Sequence, residues 1–388
     1  MKRKGPESRL RFWHARLGNW KNFVNVDIAL QNRTFLVGPN ASGKSNFLDA
    51  FRFLKDLVSP GGGFQEAVNR RGGVAALRCL AARRQSDVEI QVEARDEEGK
   101  SSWKYEIAFN KSRTGLPRLK RERVVRNGEV ILDRPNDEDR QDPDRLTQTH
   151  LEQVNVNKPF RELALFFSSI SYLHIVPQVI REPDRSPGRP NDPFGGDFLA
   201  RIAKVSDKKR DDRLKRITDA LRAAIPRLKE IEVWRDARGA PRLRGKFQHW
   251  RTRDAWQTEE QFSDGTLRLM GLLWAMLEGE GPLLLEEPEL SLHSGIVRVL
   301  PQMFARLQRL SGRQIFIGTH SPDLLRDDGI GLDEVILFVP QAQGSEVKVM
   351  ADGRDAQSLL EGGLTLADIV VPQTSPGEVD QLTLFGDG

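Results

Sequence analysis

The stretch Gly38-Pro39-Asn40-Ala41-Ser42-Gly43-Lys44-Ser45 fits the pattern G-x-x-x-x-G-K-[ST], and its surroundings make the match specific. Before it, the β-branched and aromatic run Thr34-Phe35-Leu36-Val37 predicts a strand that stops at Gly38. After it, Phe47, Leu48, Phe51, Leu54, Leu57 and Val58 recur at helical spacing until Pro60-Gly61-Gly62-Gly63 ends the run. Strand, glycine loop and helix in that order place backbone N–H groups at a helix N-terminus, where they can wrap a phosphate. Lys44 then reaches the β- and γ-phosphates, and the Ser45 hydroxyl can ligate Mg²⁺. A chance glycine loop would carry neither the strand nor the helix in register.

Three further stretches bear on the same chemistry. Leu283-Leu284-Leu285-Glu286-Glu287-Pro288 predicts a buried strand ending in two acids, and carboxylates at the C-terminal edge of a buried strand need a reason. A magnesium nucleotide supplies one: Glu286 would hold the metal, directly or through water, and Glu287 would act as general base on the attacking water. The bland alternative is a solvated strand end. Thr319-His320-Ser321 follows the strand Ile315 to Gly318, so His320 can fall at the same sheet edge and contact the γ-phosphate or the water, although a lone histidine is more often structural. Phe262-Ser263-Asp264-Gly265-Thr266 opens an apolar helix containing Leu267, Leu269, Met270, Leu272, Leu273 and Met276. Ser263 reads as its N-cap, which suffices for one protomer. A helix N-terminus built of small residues is also an anion site, able to complete the γ-phosphate shell of a neighbouring protomer.

Composition removes other classes. The chain has 388 residues, 38% of them hydrophobic, and no stretch approaches the roughly 18 consecutive apolar residues of a bilayer span. The basic start Met1-Lys2-Arg3-Lys4 is followed by Trp13, His14 and Arg16 rather than an apolar segment, so no export signal is expected and the expected location is cytoplasmic. One cysteine, Cys79, and six scattered histidines exclude a disulfide scaffold and a zinc module. Sixty Lys and Arg against 55 Asp and Glu, with a pI near 9.3, permit polyanion binding without demanding it. Two basic sets stand out: Arg118, Lys120, Arg121, Arg123 and Arg126, whose only acid is Glu122; and Lys208, Lys209, Arg210, Arg213, Lys215 and Arg216, interleaved with Asp207, Asp211 and Asp212. Each reads first as a solvated face.

Along the chain, short strands are expected from Arg9 to Val37. Val88, Ile90 and Val92 alternate with polar residues, as do Trp103, Tyr105, Ile107 and Phe109, and Asn127-Gly128 marks a tight hairpin. This predicts an antiparallel lobe over 85–133. The acidic, apolar-poor stretch Pro135 to Arg145 is expected as a loop or mobile segment, and Arg181 to Gly196 as another. Ile170 to Val176 reads as a strand, and a stripe from Phe198 to Leu228, broken near Ser206, predicts a helical arm within an insertion spanning 140–230. From Gly265 on, helix, strand, helix, strand, helix is the rhythm of a parallel sheet with crossover helices.

The order of these motifs resembles the ABC-type ATPases of the RecF, SMC and OLD kind, and is most similar to the AAA-family ATPases of prokaryotic anti-phage and DNA-transaction systems. Trp20-Lys21-Asn22-Phe23 before the loop and Ser45-Asn46-Phe47-Leu48-Asp49-Ala50 after it are similar to that group as well. The resemblance implies one α/β P-loop NTPase head over 1–388, with its signature, Walker B and switch-histidine half over 260–340. It implies ATP bound by Gly38, Pro39, Asn40, Ala41, Ser42, Gly43, Lys44, Ser45 and Asn46, and catalysis by Lys44, Glu287 and His320. Mg²⁺ would be held by Ser45, Glu286 and Gln178, the last as a Q-loop residue in Val176-Pro177-Gln178-Val179. Ser263, Asp264, Gly265 and Thr266 would act in trans as the signature, with Glu289 to His293 as the D-loop.

Glu286 stands where transporters and SMC proteins usually have Asp, and Asp264 where the signature usually has Gly. No Toprim-like pattern, a strand ending in Glu with a later Asp-x-Asp, follows His320, so the chain is not expected to cut DNA itself. The implied partners are a second copy or a higher oligomer, a separate effector protein and double-stranded DNA, with no membrane. Two alternatives are a transporter's nucleotide-binding subunit, opposed by the Glu-Glu-Pro-Glu-Leu-Ser-Leu-His stretch, and a nucleotide-controlled scaffold with little turnover.

Overall fold

The computed structural model describes residues 10–82, 86–113, 115–182, 192–248, 255–353 and 355–374. The chain divides into two compact units. The first holds the residues up to Ser171, Glu280–Leu284 and those from Pro301 on; the second holds Tyr172–Gly279 and Leu285–Leu300. The head anticipated from the sequence as one piece is thus built by a chain that leaves the first unit twice and returns to it twice.

The first unit begins with β1 (Arg11–Trp20), β2 (Phe23–Ala29) and β3 (Arg33–Val37), then α1 (Lys44–Val58), α2 (Phe64–Asn69) and α3 (Val74–Leu77). An antiparallel meander follows: β4 (Val88–Arg95), β5 (Ser102–Lys111), β6 (Pro117–Arg126) and β7 (Glu129–Arg134). Its sheet runs β2-β1-β4-β5-β6-β7. The Asn127-Gly128 turn has φ of 49° and 86°, the left-handed pair that a two-residue hairpin requires. A second, mixed sheet is entered by β3 at its middle. β3 pairs in parallel with β13 (Ile315–Thr319) on one side and with β14 (Val335–Gln341) on the other. Its order is β15-β14-β3-β13-β12-β8, where β15 is Gly344–Val349, β12 Leu283–Glu286 and β8 Ser171–Leu173. At β8 and β12 the chain passes out of the first unit.

Helix α1 fills the space between the two sheets, because both of its long faces are aromatic. Phe51 meets Phe12 of β1 and Phe316 of β13 at 4.7 and 5.2 Å, Phe47 meets Phe338 of β14 at 5.7 Å, and Phe53 stacks on Phe109 of β5 at 5.6 Å. Each pair adds about 0.5–1.5 kcal/mol beyond its burial. Hydrophobic period and position agree here, which is why this helix is legible from spacing alone.

The segment from Pro135 to Arg145 corrects the expectation of a loop. It forms α4 (Asp137–Gln141), with a capping box between Asn136 and Asp139, and a 3-10 turn at Pro143–Thr147. Its order comes from charge rather than apolar burial. Arg134, fully buried, donates to Asp139 at 2.7 and 3.0 Å and to Glu122 at 3.0 Å. Glu122 also accepts the backbone N–H groups of His150 and Leu151 at 2.8 and 3.1 Å. A buried ion pair holds only when its remaining hydrogen-bonding capacity is filled in this way.

The same strand explains the first basic set. On β6 the side chains alternate, so Glu122 turns inward while Arg121 and Arg123 face outward, toward Glu106 at 3.4 Å and Asp133 at 3.8 Å. Arg126 stacks on Trp103 at 4.8 Å and meets Glu162 at 3.5 Å. Three of the five cations in the set, Arg121, Arg123 and Arg126, thus meet an acid, while Arg118 donates to the Pro143 carbonyl.

After α5 (Arg161–Ser168), the second unit carries α6 (Pro177–Arg181), α7 (Phe198–Lys204), α8 (Asp207–Leu221), the strands β9 (Leu228–Arg235), β10 (Pro241–Phe247) and β11 (Ala255–Thr258), and α9 (Asp264–Leu277). α7 and α8 break at Val205-Ser206, as the stripe predicts. The three-stranded antiparallel sheet β11-β10-β9 is not anticipated by the sequence pattern. Leu228, Ile231, Leu243, Leu214, Ile217 and Leu221 are buried in this unit. α10 (Ser294–Val297) belongs to this unit; α11 (Leu300–Ser311), α12 (Ala356–Glu361) and α13 (Leu366–Thr374) complete the helices, and all but Leu300 of these three lie in the first unit. The span Ile170 to Val176 contains the shorter strand β8. Most of the segment from Arg181 to Gly196 lies outside the described residues. Among the described residues, no helix is long and apolar enough to cross a membrane.

Candidate functional site

In the first unit the phosphate-type loop sits at the end of a strand with no exposed residue. β3 is buried throughout, and its last residue, Val37, lies opposite Thr319 of β13 and Leu337 of β14. Gly38 therefore starts the loop between two neighbours, and a Cβ there would come within 2.6 Å of the Phe338 carbonyl. Ala41 and Gly43 adopt φ of 61° and 106°, the left-handed turns that curl backbone amides inward. A Cβ on Gly43 would lie 2.3 Å from the Asn22 amide, so glycine is required twice over. The Ser42 hydroxyl is buried within the loop and lacks a hydrogen-bond partner, an orphaned group that suits a bound phosphate oxygen.

Lys44 opens α1 and is buried, its ammonium donating to the carbonyls of Gly38 and Pro39 at 2.7 and 2.9 Å. Ser45 and Asn40 are exposed at the loop surface and Asn46 is half-buried. His320 follows Thr319 and is exposed, while the Thr319 hydroxyl accepts the Ser321 N–H at 3.0 Å. The predicted loop residues and His320 are thus brought to one edge of one sheet.

Asn22, part of the family-like stretch before the loop, clamps it. Its amide nitrogen donates to the Ser42 carbonyl at 3.0 Å and to the Ser345 hydroxyl at 2.8 Å, and its oxygen accepts from Asn46 at 2.8 Å. Trp20 adds a bond from its indole to the Asn46 carbonyl at 2.8 Å. Below the loop, Asp49 of α1 takes a bidentate pair from Arg71 at 2.8 and 2.9 Å and a contact from Lys21 at 2.6 Å. Burial pushes this carboxyl up, but Arg71, Lys21 and Arg52 outweigh it and hold the pKa at about 2.

In the second unit the Walker-B-type acids and the signature stretch meet. Glu286 ends β12; its carboxylate accepts the Tyr172 hydroxyl, and its carbonyl lies 3.3 Å from the His174 ring nitrogen Nδ1. Glu287 has φ of 46°, a strained value for a non-glycine residue. Its carbonyl accepts from Arg268 at 3.4 Å and from the Leu290 N–H at 3.2 Å. Arg268 is buried beside a cavity of about 10 Å³ lined by Glu286, Pro288, Leu173 and Leu272. Burial pushes its guanidinium down, against the attraction of Asp264, Glu287 and Glu289.

Ser263 caps α9, its hydroxyl accepting the Thr266 N–H at 3.2 Å. Gly265 packs so closely on the D-loop stretch that a Cβ would lie 2.6 Å from the Ser291 carbonyl. His293 caps α10 by accepting the Gly295 N–H at 3.0 Å. Gln178 lies on α6 and donates to Asp264 at 3.1 Å, so it would have to leave that bond to reach a cation. The structure thus gathers Glu286, Glu287, Ser263, Asp264, Gly265, Thr266 and Gln178 in one unit, and Gly38 to Asn46 with His320 in the other.

A family model described as "AAA domain, putative AbiEii toxin, Type IV TA system" matches residues 33–326, most of the chain. The chain belongs to this AAA family. The match runs from the strand before the phosphate-type loop to beyond His320 and so covers every predicted site residue. Among curated proteins, the DNA replication and repair protein RecF of Clavibacter michiganensis subsp. michiganensis (strain NCPPB 382) is 36% identical over 83 residues, 20% of each chain. RecF of Clavibacter sepedonicus matches equally. The alignment spans about one fifth of the length of these relatives. Among solved structures, the Smc head bound to the C-winged helix domain of ScpA is 14% identical, with a TM-score of 0.55 over 87% of this chain and 96% of that one. The Smc head with an extended coiled coil bound to the C-terminal domain of ScpA, from Pyrococcus furiosus, is 13% identical, with a TM-score of 0.53 over 91% and 99%. The fold of this AAA protein is therefore that of an ABC-type ATPase head, as expected, and the expected resemblance to RecF is met over that 83-residue segment.

Proposed function

We propose that this AAA protein is a Mg²⁺-dependent ATPase whose two heads close around two nucleotides and report that closure to a partner. The single observation that carries the reading is the loop itself. Its left-handed turns, the buried Ser42 hydroxyl and Lys44 held over the loop carbonyls suit a triphosphate, and Lys44 would exchange those carbonyls for the β- and γ-phosphates. Gly38 to Asn46 would bind ATP, with Ser45 and Glu286, and Gln178 once freed from Asp264, available to Mg²⁺. The metal would supply charge neutralisation on the phosphates. Glu287 would take the proton of the attacking water, and His320, level with Gly38, would orient that water or the γ-phosphate.

Ser263 is exposed and Gly265 and Thr266 half-buried at the N-terminus of α9, which supports the use of that terminus by a second copy's nucleotide. A homodimer is the least assembly that would complete two sites, and an effector protein the expected receiver. Double-stranded DNA is the further partner, supported by the RecF kinship and by α8. That helix carries Lys208, Lys209, Lys215 and Arg216 exposed, whereas three of the five cations of the set on β6 meet acids. A setting in anti-phage defence or DNA repair, within the cytoplasm, fits these partners. The test is steady-state ATP turnover by purified protein with and without Mg²⁺ and duplex DNA. No turnover under any of these conditions would overturn the reading.

A further inference from the structure

We propose that Asp264 is a positioning residue that latches α6 onto the first turn of α9, and so sets the signature terminus from within its own chain. The proposal rests on the reading of α9 as a nucleotide-facing helix start. It accounts for an acid where a helix N-terminus meant for an anion would be expected to avoid one.

Both carboxylate oxygens of Asp264 are engaged by α6. Arg181 pairs with Oδ1 at 2.6 Å and Gln178 donates to Oδ2 at 3.1 Å. The two donors are three residues apart on α6, hence on one face. The same Arg181 nitrogen, Nη2, also donates to the Phe262 carbonyl at 2.6 Å. Arg181 therefore grips the backbone just before the cap residue Ser263 and the side chain just after it. With its charge answered by a guanidinium, Asp264 no longer opposes an anion approaching the α9 terminus. A neutral residue there would remove the repulsion but also the grip.

The latch has an onward connection. One turn further along α9, buried Arg268 donates to the carbonyl of Glu287, whose backbone is held in a left-handed conformation. A shift of the first turn of α9 would be felt at both ends of this helix turn: by α6 through Asp264, and by Glu287 through Arg268. Coupling of this kind is established by reciprocal substitution rather than by proximity.

The experiment uses the full chain with Asp264→Arg, Arg181→Asp and the two combined. Each single reversal puts like charges together and should lower ATP turnover by about 10-fold or more. Affinity for nucleotide, set by the loop in the other unit, should stay within about two-fold, because no loop residue is altered. Amide hydrogen exchange over 177–181 should quicken in both single variants. The combined variant should recover turnover and slow exchange again, and Asp264→Glu should keep much of both. A merely structural pair would lower the melting temperature of the single variants and recover it in the swap, while the turnover of the folded single variants stayed native. Single variants with native turnover and native exchange overturn the proposal, as does a folded swap no better than the worse single. If the native chain hydrolyses no ATP, the ATPase reading fails, and the exchange measurements alone still decide the latch.

Discussion

Thr319 pairs with Val37 in parallel register, so His320 and Gly38 leave the sheet side by side. One edge of one sheet thereby carries both the start of the phosphate-type loop and the histidine, and the chemistry proposed for the chain depends on that adjacency.

Replacing Lys44 by alanine should abolish ATP binding. The loop amides offset only part of the charge on the β- and γ-phosphates, and the buried ammonium is the cation that reaches them. Equilibrium titration with a fluorescent nucleotide checks this; binding as tight as that of the native chain would remove the loop assignment.

Glu287→Gln should bind ATP normally and hydrolyse it more slowly, by about 10²-fold or more, since a general base is lost and a binding group is not. Rates from a single-turnover experiment decide it. Native rates would move the base elsewhere, with His320 the next candidate.

Gly265→Ala should destabilise the second unit by roughly 1–3 kcal/mol, the usual cost of overpacking, because the new methyl would lie 2.6 Å from the Ser291 carbonyl, a backbone atom with no rotamer to yield. Urea denaturation of the purified variant reads this. An unchanged midpoint would mean that α9 and the D-loop stretch are not packed as described.

Stability should also fall in mild acid through His150. Burial, and then the charge of Arg134, push its pKa from 6.5 down to about 4. The unfolded chain therefore takes up a proton at a pH where the folded chain does not. The contribution is complete above pH 6.5 and is lost progressively as the pH falls from there toward 4. His150→Gln should flatten that part of the stability profile while leaving the backbone bond from residue 150 to Glu122 in place. A slope unchanged by the substitution would assign the acid sensitivity to other groups.

What can be read from the sequence is whatever local spacing determines. The Thr34–Val37 run, the loop glycines and the apolar period of α1 each follow from near neighbours, and they lie where expected. Ser263 is legible as a cap for the same reason. The remainder depends on partners distant in the chain. Asp264 reads as a misplaced charge in the sequence, because the residues that answer it are Gln178, 86 residues away, and Arg181. The 135–145 segment reads as a loop because Arg134, Glu122 and Asp139 replace the apolar contacts that periodicity detects. The β9–β11 sheet escapes notice although Arg242-Leu243-Arg244-Gly245-Lys246-Phe247 alternates; Gly245 weakens the pattern. Asn22 carries no signal beyond its place before the loop, since its role lies in three side-chain bonds to residues elsewhere.

The central claim, that ATP is hydrolysed at sites shared between two copies, is tested most directly by mixing two inactive variants. Lys44→Ala lacks the nucleotide grip and Ser263→Arg blocks the α9 terminus, so each alone should be inactive. In a mixed dimer one composite site keeps the loop of the Ser263→Arg chain and the signature stretch of the Lys44→Ala chain. Mixing should therefore restore part of the native ATPase activity. A mixture as inactive as its parents, with mixed dimers shown to form, would contradict the shared site, and activity of Ser263→Arg alone would reduce the signature stretch to a helix cap.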